Sequence, residues 1–369
     1  MQIPRLERLA IICSHPVQYY APLFKLMAQG HDMKVFYKKR KKQDQYDSGF
    51  NRSISWDIPL LDGYNYVFTH KLEHIISYEP TSILIYGWAH ISHLRVIWYF
   101  SKKVTLLFRG DSTLLDKTAG WRRMLKSVVL RRIYTKIHYA LYVGGNNKLY
   151  FQEYGLKHEQ LVYVPHAIDN ERFAADQLAA ASNIRTSLGI SNEDILVLYS
   201  GKFSPKKDPK ILLTAFTQMQ LKGVHLLFVG AGILEQSLKT AGASLQAADQ
   251  QSTIHFMSFQ NQQHMPAIYQ CCDLFCMPSS GPGETWGLAI NEAMAAGKAI
   301  LASSMVGSAT DLIDSSNGQI FQACDLEDLK SKLSAMLTNK ARLREMGQAS
   351  TIKIKQWTFQ HQIRAIYGI

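Results

Sequence analysis

The stretch Pro278-Ser-Ser-Gly-Pro-Gly-Glu284-Thr-Trp-Gly-Leu-Ala-Ile-Asn-Glu292-Ala-Met-Ala-Ala-Gly297 reads as the end of a strand, a glycine-rich loop and then a helix. Gly287 stands near the helix start and Gly297 supplies a cap at its end. A helix opens with unpaired backbone N–H groups and the positive end of its dipole, so a phosphate is stabilised beside Gly287 and Leu288. Glu284 falls in the loop with Gly283, Thr285 and Trp286, and Glu292 falls on the helix. Glu292 lies about 7.5 Å along the axis from Gly287, at about 1.5 Å per residue, and its side chain leans back toward the helix start. Two carboxylates flanking a phosphate site would repel a bare phosphate. They make better sense as acceptors for hydroxyl groups on either side of it, the layout of a nucleotide sugar. The plainer reading is a loop–helix junction with solvated glutamates.

Outward from this stretch, short β-branched and aromatic runs alternate with longer helical patterns, as parallel βαβ units do. One series runs Leu9–Ser14, Met33–Tyr37, Ile83–Tyr86, Val104–Phe108, Leu141–Val143 and Leu161–Val164. A second runs Ile195–Ser200, His225–Val229, Ile254–Phe256, Leu274–Met277, Ala299–Ala302 and Gln319–Phe321. Between them, Ala174–Gly189 has no strand character and marks the junction. The fold class is therefore α/β, with two Rossmann-like doubly wound domains, residues 1–180 and 181–351, facing a central cleft. Residues 352–369 are expected to cross back onto the first domain as a helix.

Composition supports an ordinary globular chain: of 369 residues 47% are hydrophobic and 19% charged, which excludes a disordered one. The net charge is +12 and unevenly placed, with 25 Lys/Arg against 15 Asp/Glu in residues 1–180 and 16 against 14 in 181–369. That asymmetry suggests an anionic partner for the first half, or merely a basic surface. The five cysteines form no CxxC pair, and each lies in or beside an apolar run, as reduced buried thiols do. The apolar stretch Leu9–Cys13 is too brief for a signal segment, and Ser82–Phe100 is broken by Gly87, His90, His93 and Arg95, so no transmembrane helix is expected. The expected location is the cytoplasm, with peripheral contact at the inner face of the cytoplasmic membrane.

A second cluster follows the run Ile195–Ser200: Gly201-Lys202-Phe203-Ser204-Pro205-Lys206-Lys207-Asp208-Pro209. Asp208 is a good N-cap with Pro209 at the first helical position, which leaves the lysines on the loop at the strand's C-terminal end. Lys202 and Lys207 can neutralise a diphosphate and stabilise charge that develops as it leaves. The alternative is a solvated lysine-rich turn.

In the first half, His15 lies at a strand's C-terminal end, where it could contact an acceptor or a phosphate or be merely structural. His90 and His93 stand three apart with no carboxylate or cysteine nearby, so no metal site is expected. The basic run Lys38-Lys39-Arg40-Lys41-Lys42 and the helical pattern Trp121–Tyr139 need two readings. The latter carries Arg122, Arg123, Lys126, Arg131, Arg132 and Lys136 beside Trp121, Leu125, Val128, Val129 and Ile133. It fits peripheral attachment to an anionic membrane surface, or a core-packing helix with a solvated basic face. No stacking aromatics accompany the lysine run, so no nucleic acid partner is expected.

Taken together, these residues resemble the retaining nucleotide-sugar glycosyltransferases of the GT-B fold, glycosyltransferase family 4. Glu284 and Glu292 with their glycines are similar to the paired-glutamate motif of that family, and residues 201–207 to its Gly-Arg…Lys loop, with Lys202 in place of arginine. Leu227-Phe-Val-Gly230-Ala-Gly232 resembles its Val-Gly-x-Gly segment, and Tyr269 to Ser279 the stretch leading into the glutamate loop. Val164-Pro-His-Ala-Ile-Asp169 through Phe173 resembles its Pro-Asn-Gly-Val-Asp…Phe signature, with His166 and Ala167 as departures. A subset of bacterial members shares an opening like His15-Pro-Val-Gln-Tyr-Tyr20 and a segment like Ser55 to Leu61.

The resemblance implies a UDP-, GDP- or ADP-sugar donor bound by the C-terminal domain. Glu284 would then lie on sugar hydroxyls, Glu292 on the ribose, Lys202 and Lys207 on the diphosphate, with Gly201, Gly230, Gly232, Gly283, Thr285, Trp286, Gly287 and Leu288 around them. It implies a glycan or lipid-linked acceptor on the N-terminal domain, transfer with retained configuration, and use in bacterial cell-surface polysaccharide or glycolipid assembly. The chain holds no Asp-x-Asp motif, which fits a metal-independent enzyme without a cofactor. Many members place a histidine after a central strand of the first domain, where this chain has Arg109-Gly-Asp111. An arginine is no general base near neutral pH, so its role would be electrostatic, and Asp111 would orient the acceptor or pair with Arg109. Two rival readings are a sugar-nucleotide epimerase of the same fold and a non-catalytic nucleotide-binding scaffold.

Overall fold

The computed structural model describes residues 6–38, 45–115, 120–248 and 253–369. In chain order the strands of the first half are β1 Arg8–Cys13, β2 Asp32–Tyr37, β3 Gln45–Asp47, β4 Arg52–Ile54, β5 Tyr66–Val67, β6 Ser82–Tyr86, β7 Thr105–Arg109, β8 Tyr139–Tyr142 and β9 Leu161–Tyr163. Those of the second half are β10 Ile195–Lys202, β11 Val224–Ala231, β12 Thr253–Met257, β13 Leu274–Met277, β14 Ala299–Ser303 and β15 Gly318–Phe321. The twelve expected apolar runs all appear. The short β3, β4 and β5, two or three residues each, carry no such run and are additional.

Two parallel sheets result, ordered β5-β2-β1-β6-β7-β8-β9 and β12-β11-β10-β13-β14-β15, and β3 with β4 makes an antiparallel hairpin. Near-continuous apolar strands suit a parallel sheet because both faces are covered by helices. In β1, Leu9 and Ile11 enter one core and Ala10 and Ile12 the other, as the two-residue period requires. One face of the first sheet packs Val96 and Ile97 from the helix Ile91–Phe100, Leu130 and Ile133 from the helix Gly120–Tyr134, and Tyr150 and Phe151 from the helix Gly145–Glu153. The other face packs Phe24 and Met27 from the helix Ala21–Ala28 and Ile366 from the helix Phe359–Tyr367.

The chain divides into one unit of residues 1–43, 58–167 and 357–369 and another of 44–57 and 168–356. The boundary falls at residue 167, earlier than 180, because the stretch read as the junction is a helix, Leu178–Ser187, within the second unit. Arg185 of that helix donates to the Cys271 carbonyl (3.0 Å) and to Asp273 (3.2 Å). The hairpin β3–β4 likewise belongs to the second unit although its sequence lies deep in the first half. Cys13, Cys271, Cys272 and Cys276 are buried, whereas Cys324 is exposed, because it sits in a turn at φ +64° just before the N-cap Asp325. Residues 39–42 of the basic run lie outside the described residues. Among the described residues no helix is long and apolar enough to cross a membrane.

Candidate functional site

Each sheet has one topological switch point, where strand order reverses and a ligand crevice opens beyond the strand ends. In the second sheet this point lies between β10 and β13. Beyond those strand ends lie the lysine-rich loop 203–208, with Gly201 and Lys202 as the last residues of β10, and the glycine-rich loop 278–287.

The lysine-rich loop is shaped by local chemistry. Asp208 accepts from the Ile211 N–H (3.4 Å) and caps the helix Pro209–Met219, so the lysines stay outside it. β10 and β11 run so close that a Cβ on Gly230 would stand 2.0 Å from the Gly201 carbonyl oxygen, and one on Gly232 would stand 2.4 Å from that of Phe203. Gly230 and Gly232 are thus required by the packing of this loop itself.

The glycine-rich loop is pinned from the other side. Gly307 N–H donates to the Glu284 carbonyl (2.9 Å), Ser308 N–H to that of Trp286 (3.0 Å), and the Ser303 hydroxyl to that of Ser279. Trp286 is buried, and its indole N–H donates to Asn291 (2.9 Å). Gly287 caps the helix Leu288–Ala295 at φ +92°, a left-handed conformation that favours glycine. A Cβ there would also lie 2.8 Å from Val306 Cγ1.

The two loops meet. Lys207 Nζ forms an ion pair with Glu284, which is only 8% exposed and also accepts from the Ser279 hydroxyl (3.1 Å). Lys206, which sequence reasoning passed over, donates to the Gly283 carbonyl (2.5 Å), and Ser280 N–H donates to the Lys206 carbonyl (3.0 Å). Lys202 points elsewhere, to Asp47 at the end of β3, at 2.8 and 3.0 Å. Glu292 is 3% exposed and accepts the Tyr269 hydroxyl (2.8 Å), so it is a buried, anchored carboxylate and not a solvated one. Asp47 carried no signal in the sequence, because its pairing partner lies 155 positions away.

The first sheet switches between β1 and β6. His15, just past β1, is exposed, with Nδ1 2.8 Å from the Ser14 hydroxyl. Tyr86, ending β6, stacks at a tilt on Tyr20 with centroids 4.7 Å apart. Arg109 ends β7, and the structure commits its side chain inward. It is 2% exposed and donates to the Val164 (2.8 Å) and Pro165 (3.4 Å) carbonyls. Asp111 lies 4.0 Å from Nε2 of His166, the residue that departs from the signature. Burial, and then the Arg109 charge, hold His166 well below the usual histidine range, so it is neutral at pH 7.

His93 donates through Nδ1–H to the Gly87 carbonyl (2.8 Å), beside the rings of His70 and His90. Among the described residues no group of three His, Cys, Asp or Glu is placed to hold a metal ion.

Residues 181–353, which contain both loops of the second switch point, match the model of the family described as glycosyl transferases group 1. Over those residues the chain is similar to that family. It is 26% identical over 215 residues to a D-inositol 3-phosphate glycosyltransferase of Nocardia farcinica, covering 56% of this chain and 46% of that protein. The chain thus spans about half the length of such relatives. It is 23% identical over 346 residues to the GDP-mannose-dependent alpha-(1-6)-phosphatidylinositol monomannoside mannosyltransferase of Mycolicibacterium smegmatis, covering 88% of this chain and 85% of that one. Among solved structures, Anabaena HepE in complex with UDP superposes with a TM-score of 0.75 at 16% identity, over 98% of each chain. The two parallel sheets are those of the GT-B fold.

Proposed function

We propose that this chain moves a sugar from a UDP-, GDP- or ADP-sugar to a hydroxyl of a glycan or lipid-linked acceptor, with retention and without a metal ion, in assembly of bacterial cell-surface polysaccharide or glycolipid. The observation that carries the reading is the Lys207–Glu284 pair at the second switch point, on the loop that runs into the helix start at Gly287. Without ligand these opposite charges satisfy each other. With a donor they separate, the ammonium to the diphosphate and the carboxylate to sugar hydroxyls. Lys202 adds a second cation, the backbone N–H of Leu288 donates to a phosphate oxygen, and Glu292, oriented by Tyr269, serves the ribose.

In the reaction the bond from the sugar's anomeric carbon to the diphosphate oxygen breaks as the acceptor oxygen bonds to that carbon. The acceptor proton passes to the leaving phosphate, whose growing charge the lysines stabilise. His15 and Asp111 of the first unit are assigned to the acceptor, and Arg109 acts through the segment 164–166 that it holds. The nucleotide in the HepE complex and the GDP-mannose dependence in the mycobacterial relative's name support a diphosphate donor.

The partner of the first unit is assigned to an anionic membrane surface through the helix Gly120–Tyr134. Its Trp121, Met124, Leu125 and Val128, at the i, i+3, i+4, i+7 spacing of one face, are 56–66% exposed, while Leu130 and Ile133 fill the core. Every charged residue of this helix is basic. An apolar stripe edged by arginines suits the boundary between headgroups and acyl chains.

Calorimetric titration of UDP, GDP and ADP in the presence of a chelator tests the donor site. The expected result is binding of one nucleotide that Lys207→Ala and Glu292→Ala both weaken. Absence of binding by all three sinks the reading.

A further inference from the structure

The hairpin β3–β4 sits on the second unit, and its turn holds the carboxylate of Asp47 against Lys202. Asp47 Oδ1 accepts from Lys202 Nζ (2.8 Å) and from the backbone N–H groups of Gly49 (2.8 Å) and Phe50 (3.2 Å), and Oδ2 accepts from the same ammonium at 3.0 Å. Burial pushes this carboxyl up, but the ammonium and the two N–H groups outweigh it and hold it below the usual carboxylate range. The Phe50 ring lies over the same ammonium, 4.8 Å from Nζ to centroid. In size, charge and donor set, this carboxylate stands as a phosphate oxygen would stand on Lys202.

The rest of the hairpin is lightly tied. Of the described residues 46–56 only Ile54 is buried. Phe50 and Trp56 lean edge-on against Phe259, at 4.9 and 6.3 Å, and Asn261 donates to the Ser55 carbonyl (2.5 Å). At the hairpin's end, Gln263 donates to Asp57 through its backbone N–H (3.1 Å) and side-chain amide (2.7 Å). These ties sit on the segment 258–263 that follows β12, next but one to β10 in the sheet. An element with so little buried surface opens at small cost.

We propose that Asp47 is an internal competitor for the donor's diphosphate. The hairpin closes on Lys202 when the site is empty and is displaced from it when a phosphate arrives, so Asp47 sets donor affinity. This rests on the reading of Lys202 as a diphosphate ligand. An ion pair about one-third exposed is worth little on its own, so the competition is a modest tax on binding and not a block.

The test uses the full chain, with inorganic pyrophosphate and the three nucleoside diphosphates as probes. Asp47→Asn keeps the shape and the turn but removes the charge, and it is expected to tighten binding roughly three- to tenfold. Amide exchange in residues 45–57 is expected to rise on pyrophosphate binding to the wild type, and to be already raised in Lys202→Met without ligand. Binding that is unchanged or weaker in Asp47→Asn, or exchange that does not respond, overturns the competition while leaving the donor site standing. If no probe binds either protein, the donor reading falls and the competition falls with it. The exchange of Lys202→Met then reports only whether the ion pair tethers the hairpin.

Discussion

The two switch points are built alike and equipped differently. At the second, the facing loops carry opposite charges that meet, Lys207 with Glu284, and a further lysine is held by Asp47. At the first, Tyr20 and Tyr86 stack, and further along the same sheet His166 is held neutral and Arg109 is turned inward onto backbone carbonyls. The difference is one of solvation. Charges paired across a crevice can be re-paired with an anionic ligand at little net cost, because one set of charge-assisted bonds replaces another. Groups that burial keeps neutral cannot do this.

Four measurements break or sharpen that comparison. The largest effect is expected from Gly287→Val, which forces a β-branched residue to φ +92° with a Cβ 2.8 Å from Val306. A loss of roughly 3–5 kcal/mol is expected by denaturant titration, together with loss of nucleotide binding. A loss below roughly 1 kcal/mol would mean that the loop is less tightly built than drawn.

The next concerns the neutral side. Burial lowers the pKa of His93 to about 4, and His70 is lowered by burial as well. The unfolded chain therefore binds more protons than the folded one between about pH 4 and 6.5, and stability is lost as pH falls through that window, by about 3 kcal/mol for His93. His93→Gln should flatten the fall in midpoint temperature between pH 7 and 4. An equal fall in both proteins contradicts a neutral cluster at the first switch point.

On the charged side, Lys207→Ala removes one strong charge-assisted contact and is expected to weaken nucleotide binding by roughly 10- to 100-fold. Arg109→Lys should leave that binding within about twofold, since its contacts lie wholly in the first unit. Equal effects of the two would erase the distinction.

The smallest change in stability is expected from serine at Trp121, Leu125 and Val128 together, within about 0.5 kcal/mol because all three are exposed. The same variant should lose sedimentation with vesicles containing anionic phospholipid while keeping nucleotide affinity. Retained vesicle binding would remove the helix from the membrane assignment.

Much of this was legible from the chain because its causes are local. The apolar runs of β1, β6, β10, β11 and β13 announce buried parallel strands, Asp208-Pro209 announces a helix start, and Gly287 announces a capped loop–helix junction. Each rests on residues within a few positions of one another. Spacing also placed Glu284 and Lys207 on loops at strand ends. It could not show that they touch, since 77 positions separate them and only the strand order brings the loops together.

The sequence by itself determined the α/β class, the twelve strands that its apolar runs mark and the residue types at the second switch point. Tertiary structure alone decided that a hairpin from the first half lies on the second unit with Asp47 on Lys202, and that Arg109 is spent on carbonyls. It likewise left Trp121, Leu125, Val128 and Val129 of the helix Gly120–Tyr134 outward and put Ile133 in the core, where periodicity had grouped all five. Local periods and caps act through neighbours in the chain, whereas pairing and burial depend on which distant segment fills the remaining space.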